Sequence, residues 1–335
     1  MKPSGLFPAI IGCAMTAILL SISSSCTSNF ELDDINATEK PVLYCFPTAG
    51  SDTTIIQLSK SIPVTDKGTP VPGIPGADII FTVNGEPKQV YWNASGTTGV
   101  PDMCYYVTSH LSPGDKIDIT AQIDGMTVSS GTEVPEPFIL NDISLGIKPG
   151  IERKLLLKVS FTDPSPTGDY YGLRIVEETT RETGELLPDG KWEVSTEHTS
   201  AAVEIDLSDE PLINNKVGLD ATFDLDYDFY QELYIWSDET IDGKEYTLRL
   251  TAPYHPELEW HDDSSFAKET RQYRVYLYRL APDLYKFLKS LNDTANNILG
   301  QNGLAPIRSN YTNIENGFGV VGGCQLTVSA PLGNP

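Results

Sequence analysis

From Pro41 onward the chain runs in short alternating segments, each closed within about a dozen residues by a turn signal. That rhythm restricts it to a fold made mainly of β-sheet. Lys116-Ile117-Asp118-Ile119-Thr120-Ala121-Gln122-Ile123 carries its apolar residues at odd positions only. Successive side chains of a strand point to opposite faces, so this spacing marks one buried face and one wet face. Asp124-Gly125 follows that run, and Asn84-Gly85 follows Ala77–Val83. Both dipeptides tolerate the left-handed backbone that a two-residue hairpin demands. The 27 Gly and 24 Pro leave little room for long helices, while a hydrophobic content of 40% supplies a core.

Two β units are expected. Pro41–Phe46, Thr53–Leu58, Ala77–Val83, Gln89–Trp92, Met103–Thr108 and Lys116–Ile123 read as strands of a first sandwich over 41–137, which resembles immunoglobulin-like or transthyretin-like modules. Pro135-Glu136-Pro137 suits a boundary, because proline resists continuing a ladder. Residues 138–335 then read as a second, larger sandwich. Its strands are Lys154–Phe161, Tyr170–Val176, Ala201–Leu207, Gln231–Trp236, Tyr246–Ala252, Tyr273–Leu280 and Cys324–Val328. One helix is predicted over about 282–299: Pro282 and Asp283 suit its first turn, and Leu284, Leu288, Leu291, Ala295 and Ile298 recur at helical spacing before Gly300.

The N-terminus reads as a targeting segment over 1–25. Lys2 is followed by an uncharged run from Leu6 to Ile22, short for a membrane span, which breaks into Ser23-Ser24-Ser25-Cys26. Small residues ahead of a cysteine resemble the site where bacterial lipoproteins are cut and acylated, with palmitate among the acyl groups, although Ser23 stands where Leu is usual. Cys26 is the expected lipid anchor, and several acyl chains there would hold the protein to a membrane without a spanning helix. Residues 26–40 read as an acidic flexible tether containing Glu31, Asp33, Asp34 and Glu39; acidic residues soon after the cysteine resemble the surface-export signal of some bacterial lipoproteins, and that resemblance implies the cell surface as destination. An uncleaved signal anchor and an unlipidated secreted protein are the alternatives.

The formal net charge is −23, and removing Lys2 with the leader takes it to −24. Such a chain repels nucleic acid. No catalytic fingerprint is present and the chain has four His, so a non-enzymatic protein is expected. Asp224, Asp226 and Asp228 would share one face of a strand and offer hard oxygen ligands suited to Ca²⁺; a solvated acidic face is the bland alternative. Glu257, Glu259, His261 and Asp263 alternate in the same way. Cys45 and Cys104 lie in strand-like runs of the first unit and are candidates for a disulfide in an oxidising compartment, or else for buried small hydrophobes. Asp52-Thr53-Thr54 resembles a short O-glycosylation signal, placing a glycan on Thr53.

An ordered set of motifs resembles domain-of-unknown-function family 4249, lipoproteins of Bacteroidota. It runs from Cys26 through Pro75-Gly76-Ala77-Asp78-Ile79, Leu111-Ser112-Pro113-Gly114, Val134-Pro135 and Phe161-Thr162-Asp163-Pro164 to Asp169-Tyr170-Tyr171. The tail adds Leu280-Ala281-Pro282-Asp283-Leu284-Tyr285, Ser309-Asn310 and Glu315-Asn316-Gly317-Phe318-Gly319. The resemblance implies an outer-membrane lipoprotein encoded beside TonB-dependent receptors, hence a ligand-binding or accessory role in uptake. A surface glycan or peptide hydrolase and a structural or adhesive surface protein remain as alternatives.

Overall fold

Hairpins dominate the first half of the chain because the turn dipeptides do what their chemistry allows. In the computed structural model, Asn84 and Gly85 have φ of 52° and 80°, and Asp124 and Gly125 have 49° and 77°. These positive values match the twist of the flanking strands. The structure describes residues 39–61, 73–164, 168–213, 215–217, 233–295 and 310–335. All of them lie in one compact unit formed by Glu39–Ile62 and Thr69–Pro335.

The first sandwich uses β1 (Pro41–Cys45), β2 (Thr53–Lys60), β3 (Asp78–Val83), β4 (Glu86–Lys88), β5 (Val90–Asn93), β6 (Cys104–Thr108), β7 (Lys116–Ile123) and β8 (Met126–Glu133). One sheet runs β4-β3-β7-β8. The facing sheet runs β1-β2-β6-β5, and its outer edge is completed from the tail by a strand described below. Between them lie Leu43, Ile56, Leu58, Phe81, Val107, Ile117, Ile119 and Val128, all buried. The odd-position pattern of β7 therefore faces this core, and each of its isoleucines contributes roughly 1.5–3 kcal/mol relative to exposure.

Val134 belongs to this core and Phe138 to the next. The second body has β9 (Ile139–Lys148), β10 (Lys154–Thr162), β11 (Tyr170–Leu186), β12 (Trp192–Ala202), β13 (Asn215–Val217), β14 (Leu233–Ser237), β15 (Glu245–Pro253), β16 (Leu258–His261) and β17 (Ser265–Leu280). A three-stranded sheet β15-β10-β9 covers a larger sheet built on the β11–β17 pair. Their core holds Leu155, Leu157, Phe161, Tyr171, Trp236, Leu250 and Val275.

The helix α1 (Pro282–Ala295) begins at the expected proline, while 296–299 lie outside the described residues. After it come β18 (Phe318–Val321), β19 (Cys324–Val328) and β20 (Leu332–Gly333). Strand β18 pairs parallel with β1, and β19 pairs antiparallel with β17. The tail thus supplies a strand to each body. Helix α1 packs where they meet: Phe287 contacts Tyr44 of β1 at 5.9 Å between ring centroids, and Tyr285 stacks on Tyr170 of β11 at 4.4 Å.

Two sequence expectations need correction. No strand spans Ala201–Leu207: Ala202 ends β12, and Leu207–Asp209 is a 3₁₀ turn capped by Asp206. Strand β11 also continues ten residues past Val176, paired throughout with β12 and, as far as Glu185, with β17. That extension, Glu177 to Leu186, has no apolar alternation, because water wets most of it. Periodicity reports one-sided burial, and hydrogen bonding alone leaves no such trace.

Candidate functional site

Three places in the fold bring polar or apolar groups together in a way that bears on function: a cleft at the seam of the two bodies, a buried group of carboxylates, and an exposed blade of sheet.

The cleft has a volume of about 590 Å³. Its apolar wall is Tyr44, Phe46 and Ile55 from the first sandwich, faced by Leu326 and Val328 of β19. Thr48, Ser51, Asp52, Thr53 and Gln57 supply polar atoms. This placement follows from strand alternation: Thr53, Ile55 and Gln57 share the face of β2 that points away from the first core. At the rim His110 Nδ1 lies 2.7 Å from Asp52. Among the described residues no hydroxyl or thiol is hydrogen-bonded to His110, so this pair lacks a nucleophile. Thr53 opens β2 in the cleft wall, half-buried, and its carbonyl accepts a bond from Ser51 Oγ at 2.7 Å. A glycan on Thr53 would emerge into the cleft.

The carboxylates are Asp163, Asp169 and Asp238, whose nearest oxygens all lie within 4.8 Å of one another. They come from the end of β10, the start of β11 and the turn after β14. Asp163 is 2% exposed and Asp238 4%. Asp163 accepts bonds from Tyr171 O–H at 2.5 Å and Gly243 N–H at 2.8 Å. Asp238 accepts from Asp169 N–H at 2.8 Å, and Arg279 donates to Asp169 at 2.6 Å. Burial pushes the Asp238 carboxyl above its ordinary 3.8, and the charges of Asp163, Asp169 and Asp242 add to that, against the Asp169 N–H. Three hard oxygen donors have the chemistry of a divalent-cation site. Here each already has a donor, so the group acts as a polar strap tying three chain segments across the end of the sheet. Sequence reading missed it because its members are far apart, although Asp163-Pro164 and Asp169-Tyr170 both stood among the family motifs.

The other sequence candidates fall as follows. Cys26, Asp224, Asp226 and Asp228 lie outside the described residues. Cys45 and Cys104 are free and buried, not bridged. Strand β2 lies between β1 and β6, so the two cysteines are two strand spacings apart, about 10 Å, beyond the roughly 7 Å that a disulfide spans. Burial pushes the Cys104 thiol up to about 11 and the Cys324 thiol up to about 12, which leaves both unreactive. Glu259 and His261 do share a face, on the exposed strand β16, where Glu259 stands opposite Lys268. Tyr234, Trp236, Tyr273 and Tyr278 are buried core residues.

The blade is the distal part of the large sheet, in strand order β12-β11-β17-β16. Every residue of β12 from Trp192 to Ala201 is exposed, and so is all of β16. Trp192, Val194, Leu258 and Trp260 are each about half-exposed there. At its root Glu177 is braced by Arg271, by Tyr273 O–H at 2.8 Å and by His255 at 2.9 Å. Near its tip the Phe266 ring lies over Gly184, in the space a side chain there would fill, and packs on Trp192 at 5.4 Å.

No curated protein matches this chain. A family described as a domain of unknown function matches residues 27–329, and the chain belongs to that family, DUF4249.

Proposed function

We propose that this chain is a non-enzymatic lipoprotein held at the outer membrane through Cys26, facing the cell surface, where it binds a ligand and works beside a TonB-dependent receptor. The observation that carries the binding role is the seam cleft. Its volume of about 590 Å³ is that of a small-molecule site, with apolar walls and a few convergent polar groups. It also lies between two bodies that the tail ties together, where a bound ligand would touch both. The leader and tether of the sequence support the anchoring.

The test has two arms. Crosslinking of intact envelopes should recover an outer-membrane β-barrel with the chain; recovery of the chain alone would overturn the accessory role. In the second arm the full chain is titrated with an environment-sensitive apolar dye. Ile55→Glu and Val328→Lys, both at the cleft wall, should weaken dye binding about tenfold. Unchanged binding in both variants would remove the cleft from the proposal.

A further inference from the structure

The free edge of the blade is built to receive a strand, and its sequence selects which one. Among the described residues β12 pairs with β11 alone, leaving its outer edge open along its whole length. Exposed edges of this kind are ordinarily guarded by proline, by charged side chains, lysine above all, or by a bulge, and the charges of β12 are Glu193 and Glu197. Strand β12, Trp-Glu-Val-Ser-Thr-Glu-His-Thr-Ser-Ala-Ala, contains neither Pro nor Lys, and its register with β11 has no shift.

The hairpin geometry identifies which backbone groups are free. Leu187 N–H donates to Lys191 O at 2.8 Å, which makes that facing pair a hydrogen-bonded one. Hydrogen-bonded and non-hydrogen-bonded pairs alternate along an antiparallel ladder. Residues 193, 195, 197 and 199 therefore turn their N–H and C=O toward β11. Trp192, Val194, Thr196, His198 and Ser200 turn theirs outward, unpaired.

We propose that β12 is a self-association edge, and that a second copy of this chain pairs with it antiparallel about a two-fold axis at Thr196. An isologous contact must join outward-facing residues to outward-facing residues. Centred on Thr196, Thr196 faces its own copy, Val194 faces His198 and Trp192 faces Ser200, so every free group from 192 to 200 is satisfied. The charges agree with this register. Glu193 meets Thr199 and Glu197 meets Ser195, so no carboxylate faces another. Centring the axis on Ser195 would set Glu193 against Glu197, and centring it on Glu197 would set that residue against its own copy; both juxtapositions are unfavourable. The two glutamates thus select the register centred on Thr196 over both of these. The contact would join the two blades into one continuous sheet, with Trp192 and Val194 beside their counterparts' Ser200 and His198.

The test is disulfide trapping in the full chain, in its native envelope, with diamide as oxidant. Thr196→Cys sits on the axis, where facing residues of a hydrogen-bonded pair have Cα atoms about 5.5 Å apart, within disulfide range. It should give a reducible species of twice the chain mass. Glu193→Cys, whose two copies would lie about 20 Å apart, should give none, and neither should the unmodified chain. Adding Val194→Lys and His198→Lys to Thr196→Cys opposes lysine to lysine across the contact at two exposed positions. The trapped dimer should then fall about tenfold while the thermal midpoint stays unchanged. Absence of a dimer from the Thr196→Cys chain, equal trapping by Glu193→Cys, or capture of a different protein by the Thr196→Cys chain would each overturn the proposal.

Discussion

At the scale of single residues, the polar groups that look most like chemistry are those the fold uses to hold itself. Glu210 is buried, yet its carboxylate accepts from Leu212 N–H, Tyr246 O–H and Arg249 N–H at 3.1, 2.8 and 2.9 Å. Burial, with the Glu210 bond, pushes Tyr246 up to about 12, so it stays a donor at any ordinary pH. Asp238 shares its buried site with the carboxylates of Asp163 and Asp169. Its folded pKa lies above 3.8, so the native chain binds that proton more tightly than the unfolded one. Stability from this group is present at low pH and is lost as pH rises from 3.8 through the raised value. Asp238→Asn keeps an oxygen for the Asp169 N–H. It should therefore flatten that part of the pH–stability profile and raise stability at neutral pH, read by urea unfolding at about pH 4 and about pH 7. Gly319 is constrained differently. Its φ is 102°, and a side chain there would stand 2.1 Å from the Leu43 carbonyl oxygen. Gly319→Ala should cost more than about 2 kcal/mol, since strain and a backbone clash coincide; a loss below about 0.5 kcal/mol in the same assay would contradict this geometry.

At the scale of elements, α1 was only half legible, and β18 was not read as a strand. The helical spacing of Leu284, Leu288 and Leu291 marked a face to be covered, and Leu284 and Leu288 are fully buried. What covers it, strands from both bodies together with Val320 and Cys324, was not written in the helix. Gly322 is where the chain passes closest: a side chain there would come within 2.6 Å of Leu284 Cβ. Leu288→Ala should cost about 2–5 kcal/mol. Because α1 touches both β1 and β11, the loss should appear as one lowered transition for the whole unit, measured by calorimetry. Two separated transitions, one of them unshifted, would show that the helix stabilises one body alone. Asn313 contributes to the same junction, donating to Val321 O at 2.8 Å and accepting from Val321 N–H at 3.0 Å, as a neighbouring strand would.

At the scale of the whole molecule, the order of the sheets makes the first sandwich dependent on the end of the chain. Strand β18 covers the edge of β1, and Ile314 and Val321 fill the first core. A fragment of residues 39–137 lacks both. It should be poorly folded alone, with weak amide dispersion by NMR, and should gain native-like dispersion when a peptide of residues 310–328 is added. A fragment that folds fully without the peptide would show that β18 is dispensable. The blade has the opposite character. Among the described residues it extends from the second body without a covering layer, so truncating Leu187–Lys191 to a shorter turn should leave global stability within about 0.5 kcal/mol.

The sequence by itself determined the class of fold, most strand positions, the hairpin turns and the start of the helix, because each is set by local backbone chemistry or by which face of a strand meets water. The family was legible too, through motifs now seen as turn, junction and strap residues: Asn316 and Gly319 with positive φ, Asp163 and Asp169 among the buried carboxylates. Only the tertiary structure decided the rest. The parallel β1–β18 pair joins residues separated by most of the chain, and no periodicity encodes a partner at that distance. The gathering of Asp163, Asp169 and Asp238 depends on where three turns end. The long reach of β11 and β12 left no hydrophobic trace, because both faces are largely wet and their order comes from hydrogen bonds to neighbouring strands.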